Sequence, residues 1–293
     1  MVRLFKAFLF KISKDLTFRV TLIIGAGMAI LMTGIYAACQ YGLLALDGVD
    51  ESGGLGIKFI SGQGMLINSM SPAQNYGLAI PINLITFICL EFSQGTIRNK
   101  IIAGHSKFKI YVSLFVGGLI FAFALLGVYL LICTGLGSIF GGFNLNDTVY
   151  LLTGGIAQVT GEYLFKMIVI CIVTYLSIVS FAIFISTAFR SIGPSIPIIL
   201  VPIMILYFTA MIISMLGQFG ISDAEGIQNV MRFANPFYGI ASLETEIVGE
   251  GEAMRSVAIV SNKTFITSVC SNVVYAGIFF AAGSLLFSKR DIK

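Results

Sequence analysis

Residues 20–46 read VTLIIGAGMAILMTGIYAACQYGLLAL, a run without a charged side chain. It exceeds the ~20 apolar residues that a helix needs to cross the hydrocarbon core of a bilayer. The whole chain shares this character, since 57% of its 293 residues are hydrophobic and 11% are charged. A soluble globule of this size cannot bury so much apolar surface. The composition therefore excludes a soluble enzyme, a nucleic-acid-binding domain and a disordered chain.

Further charge-poor runs follow residue 46, and together they predict that residues 1–293 form one transmembrane domain with six spans. The expected fold class is an all-α integral membrane protein, with spans at residues 18–40, 72–93, 109–135, 164–188, 194–216 and 264–288. The second span is expected to begin at Ser71-Pro72, because serine can cap a helix and proline suits its first turn. The glycine-rich stretch before it, which includes Gly53, Gly54, Gly56, Gly62 and Gly64, is expected to be a loop.

Basic residues predict the orientation of these spans. Cytoplasmic segments of membrane proteins carry an excess of lysine and arginine. If both termini are cytoplasmic, thirteen of the 18 basic residues lie inside, namely Arg3, Lys6, Lys11, Lys14, Arg19, Arg98, Lys100, Lys107, Lys109, Arg190, Lys289, Arg290 and Lys293. We therefore expect a multi-pass membrane protein with both ends in the cytoplasm.

Residues 1–16 predict an amphipathic helix that lies in the inner interface of the membrane. Phe5, Phe8, Leu9 and Ile12 recur at helical spacing, and basic residues fall elsewhere around the helix. Such a helix is either a plain membrane anchor or a lever between a cytoplasmic partner and the first span.

Several kinds of chemistry are missing from the sequence. It contains no G-x-x-x-x-G-K-[ST] phosphate loop, and His105 is its only histidine, which argues against an ATPase site, a catalytic triad or a metal cluster. The acids near the spans sit at their ends, Glu91 on the second and Glu162 on the fourth, where Lys166 follows four residues later. An ion-coupled secondary transporter or channel, which usually buries an acid at mid-membrane, is the alternative.

The long inner segment, residues 91–109, reads EFSQGTIRNKIIAGHSKFK. Gly95 can break the second span, Thr96 can cap a short helix from Ile97 to Ala103, and Gly104 can end it. Ser106 can then cap the third span. Ile97, Ile101 and Ile102 give the short helix an apolar side, whereas Arg98, Asn99 and Lys100 give it a polar side. A helix of two turns is not stable alone, so it needs a docking partner or the membrane surface.

This pattern resembles the ABC type-2 permease family. The resemblance rests on an acid at the end of the second of six spans, on the stretch GTIRNKIIAGHSK at residues 95–107, and on Asn235-Pro236-Phe237 after the fifth span. Only residues 91–107 form a sharp motif, while the rest of the resemblance is architecture.

The resemblance implies the membrane subunit of a bacterial ABC exporter in the cell membrane. Residues 94–106 would be a coupling loop seated in a separate ATPase subunit, present in two copies, beside a second identical or homologous permease. The coupling residues would be Glu91, Gly95, Thr96, Ile97, Arg98, Asn99, Lys100, Ile101, Ile102, Gly104, His105 and Arg190. ATP and Mg²⁺ would bind to the ATPase, and this chain would hold neither a cofactor nor a metal and would have no catalytic residue.

Residues 217–263 form the long outer segment. The resemblance implies short helices there that dip into the outer leaflet and cover the cavity, and an inert acidic cap is the alternative. The lack of a charge lining the spans favours a hydrophobic or amphipathic cargo, such as a peptide, a drug or a lipid-like molecule.

Overall fold

The computed structural model describes residues 10, 14, 16–44, 59–71, 75–145, 147–151, 155–218, 224–241, 244–248 and 255–290. Ten helices are assigned in this part of the chain. They are α1 (Leu16–Leu44), α2 (Gly62–Met70), α3 (Asn75–Ser93), α4 (Thr96–Ile102), α5 (Lys107–Gly141), α6 (Gly161–Phe189), α7 (Ile192–Gln218), α8 (Ala224–Ala234), α9 (Tyr238–Ala241) and α10 (Asn262–Lys289). The four strands are β1 (Thr148–Leu151), β2 (Gly155–Val159), β3 (Glu244–Val248) and β4 (Arg255–Ile259).

Within the described residues, five helices are long and apolar enough to cross a membrane: α1, α5, α6, α7 and α10. A sixth span is possible if Leu78–Ser93 of α3 and Thr96–Ile102, which meet at a bend of 55°, count as one broken span. These are the features of a mostly helical, multi-pass membrane protein. These five helices extend beyond the predicted spans, most clearly α5, which continues to Gly141 rather than ending near residue 135.

The predicted loop around Gly62 and Gly64 is wrong, because both glycines lie in the buried helix α2. The Ser61 hydroxyl caps this helix by accepting from the Gly64 amide over 3.1 Å. A side chain at Gly62 would place its Cβ 2.2 Å from the Ser138 hydroxyl oxygen, and one at Gly141 would meet the Ile60 carbonyl oxygen at 1.9 Å. The glycines therefore permit close packing of this region against α5.

The predicted start of the second span at Ser71-Pro72 remains a prediction, because residues 72–74 lie outside the part of the chain that the structure describes. Ser71 is the C-terminal cap of α2, and its amide donates to the Asn68 carbonyl over 3.3 Å. The assigned helix α3 starts at Asn75. The same serine that can begin a helix here ends the preceding one, and its hydroxyl hydrogen-bonds the Tyr207 hydroxyl at 2.6 Å.

A four-stranded sheet in the order β1-β2-β4-β3 corrects the expectation of an all-α protein. β1 and β2 pair antiparallel, as do β3 and β4, whereas β2 and β4 pair parallel. The sheet joins the α5–α6 connection to the segment before α10. We call this side of the bundle the sheet end and the opposite side, where α3 meets α4, the bend end.

The core of the bundle is built around α6, which packs extensively against α10 and also contacts α3, α5 and α7. Buried aromatic side chains fill the space near the bend end. Tyr111 of α5 lies 5.4 Å from Phe280 and 5.9 Å from Phe287 of α10, measured between ring centroids. Gly283 faces the same tyrosine, and an added Cβ would come within 2.1 Å of its hydroxyl oxygen.

The chain between α7 and α10 folds back into the bundle at Asn235-Pro236-Phe237. The Asn235 side-chain nitrogen donates to the Leu206 carbonyl over 2.7 Å. Leu206 lies near the middle of α7, about 18 Å along the helix from its end at Gln218. Irregular backbone at membrane depth requires hydrogen-bond partners within the protein. The side chains of Asn272 and Tyr275 provide them, donating to the carbonyls of Pro236 at 2.8 Å and Ala234 at 2.7 Å.

Candidate functional site at the bend end

The sharp turn between α3 and α4 depends on Gly95. Its φ of +68° lies in the left-handed region, which glycine adopts without steric cost. Its amide donates to Phe92 over 3.1 Å and its carbonyl accepts from Asn99 over 3.0 Å, so the turn is continuous with both helices. Gly95, and not Thr96, is therefore the N-terminal cap, and Thr96 is the first residue of α4.

The end of α4 follows the prediction closely. Gly104 adopts a φ of +84° directly after the Ala103 cap. Its amide donates to Ile101 over 2.9 Å and the His105 amide donates to Lys100 over 3.3 Å. This pair of bonds is the glycine-based helix stop known as a Schellman motif. The Ser106 hydroxyl then caps α5 by accepting from the Lys109 amide at 3.4 Å, which confirms its predicted role.

An ion pair fastens α4 to the end of α3. The Lys100 ammonium donates to the Glu91 carboxylate at 2.8 Å. The Glu91 side chain is fully buried and that of Lys100 is 17% exposed. A buried carboxylate is very unfavourable without a partner, so this contact fixes the position of α4 relative to the span. The sequence places both residues in the site but does not show that they pair.

The remaining side chains of α4 divide into two faces. Ile97 is fully buried and Ile101 packs partly against the core. Arg98, Asn99 and Ile102 are exposed, and Ile102 is 73% exposed despite its apolar side chain. The short helix is therefore anchored on one side and presents a mixed basic and apolar surface on the other.

Arg190 joins the same end of the bundle from the α6–α7 turn. It has a positive φ of 57°, the only such value for a residue other than glycine in the described part of the chain. Its guanidinium lies over the Phe92 ring, 5.5 Å from the centroid, which is the geometry of a cation–π contact. Partial burial and, second, the positive charge of Arg290 lower the pKa of Arg190 from its usual value. An arginine nevertheless stays charged at neutral pH.

Two basic residues that sequence reasoning did not single out hold the helix ends together. Lys107 donates to the carbonyl oxygens of Ser288 at 3.0 Å, in the last turn of α10, and of Arg290 at 2.9 Å, its C-terminal cap. Arg290 in turn donates to the carbonyl of Ala188 in the last turn of α6. Cations at helix C-termini satisfy free carbonyls and oppose the helix dipole. Nothing local in the sequence reveals these contacts, because the partners lie far apart along the chain.

A second polar cluster, also missed, lies at the sheet end. The Glu244 carboxylate accepts from the Arg232 guanidinium at 2.9 Å, from the Thr264 hydroxyl at 2.6 Å and from the Ser261 amide at 2.9 Å. Burial alone raises the pKa of Glu244, but these hydrogen bonds outweigh it and leave the pKa below its ordinary value. Nearby, Glu162 and Lys166 form the ion pair that their spacing suggests, at 2.7 Å.

The described side chains at the bend end that carry charge are mainly basic: Arg98, Lys100, Arg190 and Arg290, beside the buried Glu91. Among the described residues, no group of three or more His, Cys, Asp and Glu side chains could hold a metal ion. The predicted lever residues Phe5, Phe8, Leu9 and Ile12 lie outside the described residues. Of the predicted coupling residues, those from Glu91 to His105 lie along the α3–α4 bend, and Arg190 reaches the bend through Phe92.

Comparison with known proteins corrects the resemblance to the ABC type-2 permease family. No model of that family matches the chain. The stretch at residues 95–107 is short, and several spans with an interfacial helix form an architecture that unrelated membrane proteins share. No curated protein and no solved structure matches the chain either. A different family model matches residues 50–293, which include the bend, the sheet and all spans except α1. The chain belongs to the family described as "Protein of unknown function (DUF2705)".

Proposed function

We propose that the chain is the membrane-spanning subunit of a transporter that a separate cytoplasmic ATPase drives, and that it exports a hydrophobic or amphipathic substrate. In this proposal α4 rests on the ATPase, two copies of which bind ATP and Mg²⁺. A second membrane subunit, identical or homologous, completes the pathway. The membrane is the bacterial cell membrane, and both termini face the cytoplasm.

The observation that carries the proposal is the way α4 is held. A helix of seven residues has little stability of its own. Here the Glu91–Lys100 ion pair and the buried Ile97 join it to the end of α3. A push on α4 would therefore move the span rather than unfold the short helix. A loop that only rests on lipid headgroups would not need a buried ion pair.

The exposed surface beside this anchor suits a protein partner. Arg98, Asn99 and Ile102 are exposed, and Ile102 offers an apolar contact beside these polar side chains. Arg190 and Arg290 add positive charge at the same end. This combination favours a cleft that has acidic groups around an apolar centre.

The composition of the spans favours external energy over ion coupling. Coupling ions are usually bound by acidic side chains near mid-membrane. In the described parts of the apolar helices, the acids lie at helix ends, with Glu91 paired to Lys100 and Glu162 paired to Lys166. Because these acids lie at the helix ends, the middle of the described apolar helices also suits a hydrophobic or amphipathic cargo.

The test is to purify the tagged chain gently from its native membrane and to measure Mg²⁺-dependent ATP hydrolysis in the eluate. We expect wild type and Ile102→Leu to retain a bound ATPase, and Ile102→Asp to lose it, because the substitution puts a charge on the exposed face without touching the anchor. Phe108→Asp is the matched control, since Phe108 is 53% exposed near the same end but lies on α5. Solute flux that follows a sodium or proton gradient without ATP, with no copurifying hydrolysis, would overturn the proposal in favour of a secondary transporter or channel.

A further inference from the structure

A cavity of about 130 Å³ lies among α6, α7, α10 and the Asn235-Pro236-Phe237 turn. Ile178 and Phe181 form its floor on α6. The walls come from α7, including Ile203 and Leu206, and from Phe279 of α10. Pro236 and Phe237 form the side that faces the sheet end. The cavity is therefore next to the folded-back segment at the depth of the middle of α7.

The arrangement of the helices explains why space is left there. Both α7 and α10 pack on α6, while α8 and α9 occupy the space between them nearer the sheet end. The turn stops at the level of Leu206, where its Asn235 amide is bonded. The cavity lies beside this turn, between α7 and α10.

The polar atoms around the cavity are already engaged. The Ser177 hydroxyl donates to the Asn272 side-chain oxygen at 2.8 Å, and the Tyr275 hydroxyl donates to the Ala234 carbonyl at 2.7 Å. What faces the interior is aliphatic and aromatic carbon. A water molecule needs at least two polar partners to be stable in a buried site, so water does not suit this cavity.

The cavity is open toward the bilayer. Leu206 and Phe279 on its walls are partly exposed, and their neighbours Ile205 and Ile278 are 59% and 55% exposed. These side chains belong to membrane-spanning helices near mid-span, so the medium outside is lipid hydrocarbon. A gap of this size left empty would cost packing free energy. Its volume is close to the ~150 Å³ that holds one benzene molecule in a known apolar cavity.

We propose that this cavity binds a segment of one acyl chain of a membrane phospholipid, which enters sideways between α7 and α10. The chemistry selects a flexible alkyl chain because the lining offers no hydrogen bond and the volume excludes a fused ring system. The site does not depend on the proposed transport function. Its occupant also contacts the Asn235-Pro236-Phe237 turn, so it supports the folded-back segment.

Fluorescence provides a direct test, since the chain has no tryptophan. In Phe237→Trp the single indole replaces a ring that lines the cavity and is 3% exposed, which shields it from bulk lipid. The protein is reconstituted into vesicles of phosphatidylcholine that carries bromine in the middle of its acyl chains. We expect strong quenching relative to unbrominated lipid, because bromine quenches only at close range.

A second substitution that fills the cavity separates this site from the surrounding lipid. Adding Leu206→Phe, or Ile203→Phe if that variant is unstable, should abolish most of the quenching in Phe237→Trp. Ile278→Trp, which faces the bilayer, is the control and should be quenched equally with or without the filling residue. Absence of quenching in a folded Phe237→Trp protein, or quenching that a folded filling variant leaves unchanged, would overturn the proposal.

Discussion

The side-chain nitrogen of Asn272 donates to the carbonyl oxygen of Pro236 over 2.8 Å and also to the Ser268 carbonyl over 2.9 Å. The same side chain accepts from Ser177 through its oxygen, so one fully buried amide joins α6, α10 and the folded-back turn. Lipid hydrocarbon offers no hydrogen-bond donor to the Pro236 carbonyl at this depth. Asn272 therefore stabilises the turn at this depth by donating a hydrogen bond to this carbonyl.

Replacing Asn272 by leucine keeps the approximate volume but removes these bonds. We expect a loss of about 1–3 kcal/mol, because the Pro236 carbonyl and the Ser177 hydroxyl lose partners in a buried site. Thermal denaturation in mild detergent measures the change, and limited proteolysis between α7 and α10 locates it. Ser284→Ala on the same helix is the control, since its hydroxyl is exposed and bonds only within the helix. Equal denaturation midpoints for Asn272→Leu and wild type would contradict this role.

The ion pair between Glu91 and Lys100 leads to a prediction about single and double variants. Lys100→Met removes the ammonium group that pairs with the fully buried Glu91 carboxylate and should cost about 3 kcal/mol. In the double variant with Glu91→Gln the buried charge is gone, so much of the stability should return. A double-mutant cycle on thermal denaturation measures the coupling. Additive effects of the two substitutions would show that the pair does not hold α4.

The bend itself can be tested at Gly95. An added Cβ there would meet no atom within 4 Å, so any cost of Gly95→Ala comes from the positive φ alone. That cost is about 1–2 kcal/mol for an ordinary side chain. Gly95→Asn should be milder, because asparagine tolerates the left-handed region better. Gly127→Ala, in open space within α5, is the control and should be neutral or stabilising. Equal destabilisation by Gly95→Ala and Gly127→Ala would contradict this account.

Sequence reasoning succeeds for features that depend on residues close together in the chain and fails for features that depend on distant residues. Charge-free runs located five helices that are long and apolar enough to cross a membrane. Local glycine and serine signals located α4 and its termini to within one residue. These features depend on contacts within a few positions along the chain. By contrast, the glycines of α2 suit either a flexible segment or close packing, and only their contact with the distant helix α5, as between Gly62 and Ser138, distinguishes the two.

The sheet and the polar clusters were missed for a related reason. The strands have four or five residues each, and the parallel pairing of Gln158 with Val257 joins segments that are far apart in sequence. The contacts of Lys107 with Ser288 and of Asn272 with Pro236 are equally non-local. The sequence does not reveal these partners, because only the fold brings the residues together.

We expect Glu244 to make the sheet end sensitive to acid. Its pKa in the folded protein is below the ordinary value of 4.5, because hydrogen bonds from Thr264, Ser261 and Arg232 outweigh the effect of burial. A carboxyl group with a depressed pKa in the folded state contributes stability when it is ionised. That contribution is complete above the unfolded-state value near 4.5 and disappears as the pH falls through the lower folded-state value.

We therefore expect the denaturation midpoint of the wild-type protein to fall as the pH is lowered below about 4.5. Glu244→Gln should be less stable at neutral pH, because Arg232 loses its charged partner, and its midpoint should change less with pH in that range. Thr264→Val removes one hydrogen bond to the carboxylate and should raise the pKa of Glu244, which moves the acid transition to higher pH. Glu162→Gln serves as the control, since that side chain is 75% exposed. The denaturation midpoints of wild type and Glu244→Gln could instead fall by the same amount between neutral pH and the lowest pH measured. In that case the acid sensitivity would arise elsewhere in the protein.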